Sequence, residues 1–544
     1  MKTFYSIMLV LILSALLLVQ NAEAQLTGEK TIKAAGGDYS SFTAAITDLN
    51  TIGVGAGGVT FNVEAGFTES ITAPLLITAT GTSLNLITFQ KDKATTGDNP
   101  KITRTDAGSK ATTGLGGDGD AIIQINGSDY TIFDGIDVQS GNSTIEYGYY
   151  TYKPSGTDGC QNVIIKNSTI TMIKSTAYNV VIGIYISNGP TALTASTNGG
   201  VTVTDYSGRN ENIEVSNSLI QNVNQGIYIQ GYNHTVSPYD FYDQNITIGK
   251  AGAGNTIQNF QWSSTSGSCY GIYSSFCNNF NASYNYLNNT AGGGAASTCF
   301  FYAIYSSYTK AATITYSYNT FNLTTTGTRV AYAFGNNAGD ANSTFYVHHN
   351  LIENCVHGST TFSVFNNGVT GITLNLYSNT VRNNTINAGS SAMFTLGSVD
   401  TAYVYDNIVS NNTIAGGTSS NTAFTISGSG VVNMYGNSIS GYNSTALAPV
   451  YAISISGGKD VKVYNNLIYD IETMYSNATT DAIRGISITS TTATSNIGIY
   501  YNTIYLDAST VGTDSWTSCI FHTYNATATT AVLDMRNNIF VNAS

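Results

Sequence analysis

One short pattern recurs along most of this sequence and limits the folds that the chain can adopt. An alternating apolar segment ends at an asparagine, and another apolar residue follows two positions later, as in VKVYNNLI from Val461 and LNLYSNTV from Leu374. Successive copies lie 28 to 50 residues apart. The residues that end these segments, here called the anchor residues, are Asn255, Asn285, Asn319, Asn350, Asn379, Asn407, Asn437, Asn466, Asn502 and Asn538, with Ser168 and Ser218 at the same place in two earlier copies.

The apolar positions around each anchor indicate strands with one buried face. Around Asn466, for example, Val461, Val463 and Ile468 share one face if the period is two. A third apolar segment, such as GIYIS from Gly183, lies between successive copies. Three short strands in each repeat, with equivalent positions recurring, predict a solenoid whose coils hydrogen-bond about 4.8 Å apart. A β-propeller or a stacked sandwich would not place a single anchor at the same turn of every copy.

The anchor asparagines have a predicted role in the turns. Asparagine tolerates the left-handed backbone region, so we expect each anchor to adopt it, and the stacked amides to hydrogen-bond along the solenoid axis. Charged residues make up only 10% of the chain, against about 25% in ordinary soluble domains. Stacking explains this scarcity, because like charges at strand spacing repel one another whereas Ser, Thr, Asn and Tyr do not.

The repeat resembles that of the pectate lyase-like family of secreted proteins over roughly residues 120 to 544. The resemblance implies an all-β, single-stranded right-handed parallel β-helix with three short strands per coil and about a dozen coils. Residues 31–105 lack the repeat and resemble the opening segment of related secreted β-helices, in which Ser40 or Ser41 would cap a helix ending at about Leu49. We expect a signal peptide at 1–24, an N-terminal cap with entry strands at 25–118, and the β-helix at 119–544, interrupted within a repeat at its C-terminus.

The first residues predict export. Lys2 precedes an apolar run at 7–19, and Ala22, Glu23 and Ala24 match a signal-peptidase site, so the mature chain would begin at Gln25. The run is shorter than the about 20 residues of a membrane-spanning helix. We therefore expect a secreted protein, extracellular or on the outer cell surface, without a transmembrane segment and shaped as a monomeric rod.

Cysteine usage leaves two alternatives. The chain has six cysteines, too few for a fold built on disulfides. Cys269, Cys277 and Cys299 lie close enough in the repeat for one disulfide bond, and free buried thiols are the equal alternative.

Two series of tyrosines recur at outward positions of the predicted strands. Rows of rings about 5 Å apart would offer apolar faces and hydroxyls to sugar rings or to a protein surface. The alternative is purely structural, because tyrosine favours strands and stacked rings stabilise neighbouring coils. The first series is Tyr150, Tyr185, Tyr228, Tyr273 and Tyr305, and the second, two residues before the anchors, is Tyr377, Tyr405, Tyr435, Tyr464 and Tyr500.

Three insertions, at 153–162, 188–212 and 231–245, leave the early coils at one turn and should cluster beside the first tyrosine series. They contain the candidate catalytic residues Asp205, Arg209, Asp240 and Asp243, among which two carboxylates could hydrolyse a glycosidic bond. For a lyase, the resemblance implies Ca²⁺ held by carboxylates, with an arginine or lysine as base. The outward first-strand positions, where enzymes of that family place catalytic groups, instead carry Tyr, Thr and Ser, which argues against catalysis.

Metal ions and nucleic acids are not indicated. His348 and His349 are adjacent in a strand and should point to opposite faces, so we predict no metal site there. The net charge of -12, with only 20 basic residues, excludes a phosphate-binding groove. It would also repel a polyanionic substrate unless a metal ion or a local basic patch intervened.

The sequence therefore predicts a secreted or cell-surface β-helix protein without enzymatic activity or cofactor, which binds polysaccharide or cell-surface glycan as an adhesin or scaffold. The alternative is a pectate lyase-like carbohydrate-active enzyme, either a polysaccharide lyase that uses Ca²⁺ or a glycoside hydrolase.

Overall fold

The computed structural model describes most of the chain after the predicted signal peptide, which lies outside the described residues. The description covers residues 25–544 apart from 109–119, 175–180, 190–199, 262–266, 327–328, 338–341, 359–360, 369, 388, 418, 429, 478–479, 490–494, 510–514 and 524–530. In this part of the chain no helix is long and apolar enough to cross a membrane.

Each coil adds strands to three parallel sheets, here called sheets 1, 2 and 3 in their order within a coil that starts at Leu75–Ile77. Sheet 1 consists of Leu75–Ile77, Ala121–Asn126, Tyr147–Tyr152, Ile182–Ser187, Gln225–Gln230, Ser268–Ser275, Phe300–Ser307, Val330–Asn337, Thr361–Asn367, Ser390–Leu396, Asn421–Ile426, Val450–Ile455, Ile483–Ile488 and Thr517–His522. Sheet 2 consists of Leu26–Ile32, Val54–Val63, Ile87–Lys91, Thr131–Asp134, Ile164–Lys166, Glu214–Ser216, Asp243–Ile248, Cys277–Ser283, Thr313–Ser317, Thr344–His348, Thr373–Tyr377, Thr401–Tyr405, Val431–Tyr435, Asp460–Tyr464, Asn496–Tyr500 and Val532–Arg536.

Sheet 3 begins after the anchor turn and is divided into shorter strands in several coils. It consists of Thr68–Ile71, Lys101–Arg104, Asp137–Ser140, Thr169–Thr171, Leu219–Val223, Thr256–Phe260, Tyr286–Asn288, Thr320–Phe321, Thr324–Thr325, Leu351–Glu353, Val356–His357, Thr380–Arg382, Thr385–Ile386, Ile408–Ile414, Ser438–Ser444, Leu467–Tyr469, Ile471–Thr473, Thr503–Leu506 and Ile539–Asn542. Helical structure in the described residues is limited to the α-helix Phe42–Ile52 and the 3-10 turns Tyr206–Gly208 and Ala291–Gly293.

The predicted parallel β-helix is confirmed. Equivalent residues of successive coils pair in parallel, as Val461 does with Ile497 and Val463 with Ile499. The inward side chains of all three sheets form one continuous apolar core. Within the described ranges sheet 1 has 14 strands, one per coil, so this stack of coils is about 60 Å long.

The anchor residues form the predicted ladder of amides. The backbone N–H of Asn407 donates to Oδ1 of Asn437 at 3.0 Å, and Nδ2 of Asn407 donates to the same oxygen at 2.9 Å. This pair of hydrogen bonds recurs between successive anchors from Asn255 to Asn538. Ser218 continues the ladder, because its backbone N–H donates to Oδ1 of Asn255 at 3.1 Å.

The left-handed residue of the turn is the one before the anchor, so the prediction for the anchors themselves was wrong. Ser378, Asp406 and Asn465, each directly before an anchor, have φ of 54°. The anchor must direct its amide into the core, where Nδ2 of Asn407 also donates to the carbonyl of Leu376 at 2.9 Å. The preceding residue therefore adopts the left-handed conformation that makes the turn, and its side chain points outward.

A substitution at this outward position tests the turn. Tyr501 has φ of 56° and a side chain 58% exposed, whereas asparagine holds the same position in the two neighbouring coils, at residues 465 and 537. Bulky side chains are strained in the left-handed region, so Tyr501→Asn is expected to raise the free energy of unfolding by about 0.5–1 kcal/mol, measured by urea titration. Tyr505→Asn, in the strand that follows, is the control and should give no gain.

The N-terminal segment contributes to the same sheets. Ser41 caps the helix Phe42–Ile52 as predicted, because its Oγ accepts the N–H of Ala44 at 3.0 Å. Leu26–Ile32 and Val54–Val63 are the first strands of sheet 2, so the regular sheets begin well before residue 119. The helix buries Phe42 and Leu49 against the first coils.

All six cysteines are buried, and none forms a disulfide bond in the structure. Of the two alternatives for Cys269, Cys277 and Cys299, buried thiols without a disulfide bond are therefore the one observed.

Candidate functional site

The first tyrosine series is aligned as predicted, but its predicted exposure was wrong. Tyr150, Tyr185, Tyr228, Tyr273 and Tyr305 pair in register across sheet 1. Their side chains are at most 7% exposed and form a second apolar cluster outside the main core, together with tyrosines that include Tyr147 and Tyr152. The hydroxyl of Tyr150 donates to the carbonyl of Gly189 at 2.9 Å, so the second insertion folds against this series.

Four members of the second series form a partly exposed stack. Tyr377 and Tyr405 are parallel within 1° with ring centroids 4.8 Å apart, and Tyr405–Tyr435 and Tyr435–Tyr464 follow at 5.0 Å. Each ring covers the face of its neighbour, so the stack presents ring edges and hydroxyls to solvent rather than the predicted flat faces. Tyr500 leaves the stack, because its hydroxyl donates to Oδ2 of Asp534 at 3.1 Å.

The stack continues through aromatic residues that belong to neither of the two predicted tyrosine series. His348 stacks on Tyr377 at 4.6 Å, and from the adjacent left-handed position Tyr284, Tyr318 and His349 stack on one another at 4.6 and 4.7 Å. Over seven coils these rings extend about 30 Å along the axis. We call the whole set the aromatic row: Tyr284, Tyr318, His349, His348, Tyr377, Tyr405, Tyr435 and Tyr464.

Hydroxyl-bearing residues lie beside the aromatic row on the outer face of sheet 2. Tyr346 and Tyr403 are 37% and 41% exposed. A column of threonines pairs in register across four coils, namely Thr313, Thr344, Thr373 and Thr401. Over these four coils the face therefore repeats a threonine at each coil, with an exposed tyrosine at two of them.

The three early insertions contact one another, which confirms their predicted clustering. The N–H of Thr204 donates to the carbonyl of Gly156 at 2.9 Å, and Nη1 of Arg209 donates to the carbonyl of Asp240 at 2.9 Å. Arg209 also pairs with Glu211 at 2.5 Å, so its charge is already neutralised. We call this region the loop edge.

The candidate catalytic residues at the loop edge differ in their surroundings. Asp205 is exposed and begins the 3-10 turn, because its Oδ1 accepts the N–H of Ser207 at 3.0 Å. Asp240 is half-buried, and its Oδ2 lies 3.5 Å from the hydroxyl of Tyr206. The guanidinium of Arg209 lies over the ring of Tyr206, with its Cζ atom 4.8 Å from the ring centroid.

The sequence analysis placed Asp243 in an insertion, but in the structure it lies in a strand. It begins the strand Asp243–Ile248, and its fully buried carboxylate pairs with the fully buried Lys153 at 2.6 Å. Asn210 donates to both carboxylate oxygens, from its N–H at 3.1 Å and from Nδ2 at 2.9 Å. In this arrangement Asp243 holds the insertions together and has no surface that a polysaccharide could contact.

A carboxylate that the sequence analysis missed lies at the same edge. Burial raises the pKa of Asp129 to about 6, and the charge of Asp158 adds to the effect. Oδ1 of Asp129 accepts the N–H of Gln161 at 2.7 Å, and Nε2 of Gln161 reaches the carbonyl of Tyr206 at 3.3 Å. Asp129 lies in a turn outside the three insertions, so only its position in the fold reveals it.

The raised pKa of Asp129 predicts a pH dependence of stability. Its folded value of about 6 is above the unfolded value near 3.9, so the native state binds more protons and loses stability as the pH rises from about 4 to 6. Asp129→Asn removes this loss. After discounting for partial exposure, the stability of the variant relative to wild type is expected to increase by about 1 kcal/mol between pH 4 and pH 7, measured by urea titration.

The control for this experiment is Asp205, whose pKa is shifted in the opposite direction. Hydrogen bonds from Ser207 lower the pKa of Asp205. As the pH rises through the acidic range, the stability of Asp205→Asn relative to wild type should therefore fall, whereas that of Asp129→Asn should rise. Equal profiles for the two variants would contradict the assignment.

Polar cavities near the N-terminus were also not predicted. One of about 540 Å³ is lined by residues that include Lys91, Asp98, Lys101 and Asp137, and a neighbouring one of about 430 Å³ shares Lys91. Oδ1 of Asp137 accepts Nδ2 of Asn99 at 2.9 Å. The signal in the sequence was the run QKDKATTGDNPK from Gln90, which is dense in charge for this chain.

The two adjacent histidines share a face, contrary to the prediction. Their Nδ1 atoms are 2.9 Å apart, because His349 adopts the left-handed conformation with φ of 55°. Among the residues described, no group of three or more His, Cys, Asp or Glu side chains is arranged to hold a metal ion.

These observations define a parallel β-helix protein with an outward aromatic row. No protein-family model matches the sequence, and no curated protein matches it either. Among solved structures, the GH136 lacto-N-biosidase from Eubacterium ramulus is 11% identical over 75% of this chain and 67% of that chain, with a TM-score of 0.43. The Agl-KA catalytic domain is 16% identical over 95% and 70% of the two chains, with a TM-score of 0.38.

A surface adhesin is also similar. PfbA of Streptococcus pneumoniae is 14% identical over 80% of this chain and 91% of that chain, with a TM-score of 0.32. The parallel β-helix is established by the sheet topology of this chain itself, and nothing about function follows from these similarities.

Proposed function

We propose that this protein binds an extended polysaccharide along the aromatic row, as an adhesin or scaffold outside the cell. The observation that carries the proposal is the row itself, in which stacked rings present their edges and hydroxyls once per coil. The predicted signal peptide supports the location.

The chemistry of the row suits a polymer of sugars. Phenol hydroxyls both donate and accept hydrogen bonds, and ring edges add apolar contact, so each coil can bind one part of a regular chain. Stacking holds the rings in place before binding, which lowers the entropy lost on association. Repetition then makes many weak contacts act together, since each bound sugar keeps the next one close. The net charge of -12 favours a neutral polysaccharide over an acidic one.

Removing hydroxyls without removing rings tests the proposal. The variant Tyr377→Phe, Tyr405→Phe, Tyr435→Phe and Tyr464→Phe keeps the stack but loses four hydroxyls. Each hydrogen bond contributes about 0.5–1.5 kcal/mol, so affinity for an immobilised neutral polysaccharide is expected to fall at least about tenfold. Retention on affinity gels measures the loss.

The matched control lies on sheet 3. Tyr469 and Tyr505 pair in register and are 39% and 41% exposed, so Tyr469→Phe with Tyr505→Phe removes similar hydroxyls outside the row. This control should bind as wild type does. Undiminished retention of the fourfold variant, with an unchanged circular dichroism spectrum, would reject the row as the binding surface.

A second candidate is a carbohydrate-active enzyme at the loop edge, favoured by one observation. A carboxylic acid with a pKa of about 6, such as Asp129, stays partly protonated near neutral pH and suits general acid catalysis at a glycosidic bond. Asp205, Arg209 and Asp240 lie at the same edge. The lyase form of this proposal needs Ca²⁺, and Arg209 could act as its base only after release from Glu211.

Product release distinguishes the two candidates. Soluble oligosaccharides released from a panel of polysaccharides, with and without Ca²⁺, would support the enzyme. Asp129→Asn should then abolish release, whereas the fourfold Tyr→Phe variant should weaken only retention. Binding without release supports the adhesin or scaffold.

A further inference from the structure

We propose that His348 and His349 chelate a divalent transition-metal ion, with copper(II) preferred. The Nδ1 atoms of the two rings are 2.9 Å apart, and both residues lie on the solvent side of sheet 2. The inference rests on the geometry of these two rings; both belong to the aromatic row, but metal binding does not require that the row bind polysaccharide.

The backbone explains why adjacent residues converge. His348 ends the strand Thr344–His348 at an outward position. His349 follows in the left-handed conformation of the anchor turn, with φ of 55°, which turns its side chain to the same side. The two rings are nearly perpendicular, at 88°, with centroids 5.1 Å apart.

Each imidazole is held on one face by a tyrosine. His348 stacks on Tyr377 at 4.6 Å and 12°, and His349 stacks on Tyr318 at 4.7 Å and 17°. The stacks continue into neighbouring coils through Tyr405 and Tyr284. Both rings are therefore positioned before a metal binds, and only their edges are free to coordinate it.

The separation of the nitrogens favours one coordination geometry. With metal–nitrogen bonds of about 2.0–2.1 Å, nitrogens 2.9 Å apart subtend an angle of about 90° at the metal. This angle fits square-planar or tetragonal copper(II) and nickel(II), and copper(II) binds nitrogen ligands most tightly of the divalent first-row ions. Tetrahedral zinc needs a wider angle. Because His349 is exposed, water can fill the remaining positions.

Binding changes the tautomer of one ring. Without metal, the 2.9 Å contact is a hydrogen bond in which one Nδ1–H donates to the other Nδ1. When the metal binds both Nδ1 atoms, the donating ring carries its proton on Nε2 instead, so no proton is released.

Copper titration of the full chain tests the proposal. We expect one tight copper(II) site by calorimetry, and an electron paramagnetic resonance spectrum of a tetragonal ion with two nitrogen ligands. His348→Phe and His349→Phe keep a stacking ring but remove a ligand, and each should weaken copper binding at least tenfold. His522→Phe, at an exposed histidine elsewhere, is the control and should leave the site unchanged.

Equal copper affinity and spectrum in wild type and His349→Phe would overturn the proposal, and so would loss of the copper site in His522→Phe. A zinc affinity equal to the copper affinity would also overturn it. If His349→Phe alters the circular dichroism spectrum, His349→Asn replaces it, because asparagine accepts the left-handed backbone. The same loss of affinity is then expected.

Discussion

Asn407→Ala is expected to lower the free energy of unfolding by about 4 kcal/mol. Oδ1 of Asn407 accepts the N–H of Asn379 at 3.1 Å and its Nδ2 at 2.9 Å, and both donors are buried. Nδ2 of Asn407 also donates to the carbonyl of Leu376. Each buried group left without a partner costs about 1–3 kcal/mol, and alanine cannot replace any of these bonds. Urea titration followed by circular dichroism measures the loss.

An asparagine outside the ladder gives the matched control. Asn443 is exposed, so Asn443→Ala makes the same chemical change without breaking the ladder, and should alter stability by less than about 0.5 kcal/mol. A loss below 1 kcal/mol for Asn407→Ala would mean that the stacked apolar side chains alone maintain the turns.

Lys153→Met is expected to lower the free energy of unfolding by about 3–5 kcal/mol. The side chains of Lys153 and Asp243 have no exposed surface, so methionine leaves the carboxylate buried without its counter-charge. Adding Asp243→Asn removes that charge while an amide oxygen can still accept from Asn210. The double variant should therefore be more stable than Lys153→Met alone, as measured by urea titration at pH 7.

An exposed pair calibrates this result. Lys462 and Asp460 are 3.3 Å apart, and their side chains are 47% and 36% exposed, so Lys462→Met should cost less than about 1 kcal/mol. If Lys153→Met behaves like Lys462→Met, the buried pair is not what joins the insertions to sheet 2.

The sequence predicted the fold because a solenoid repeats the same local requirement in every coil. Equivalents of Val461, Val463 and Ile468 recur around each anchor, so a single register accounts for sheets 2 and 3. The turn was less predictable. The tyrosine at 318 and the histidine at 349 occupy left-handed positions that sequence preference assigns to asparagine or glycine, and the ladder holds them there.

The candidate site was predicted less well than the fold. Alternation identifies Tyr185 and Tyr405 alike as outward, but it cannot show that an insertion covers sheet 1 while the outer face of sheet 2 stays open. Charge in a loop does not show whether an aspartate is exposed, as Asp205 is, or buried against a lysine, as Asp243 is. Asp129 lies outside the insertions and becomes a candidate only when the coils bring it to the loop edge.

Chemical footprinting of the tyrosines tests polysaccharide binding along the aromatic row most directly. Nitration of the wild-type protein with and without a bound polysaccharide, read by peptide mass spectrometry, reports which phenols the ligand covers. The account predicts protection of Tyr377, Tyr405, Tyr435 and Tyr464, with Tyr469 and Tyr505 modified equally in both states. Protection confined to other tyrosines, or none on a protein that retains the polysaccharide, would contradict it.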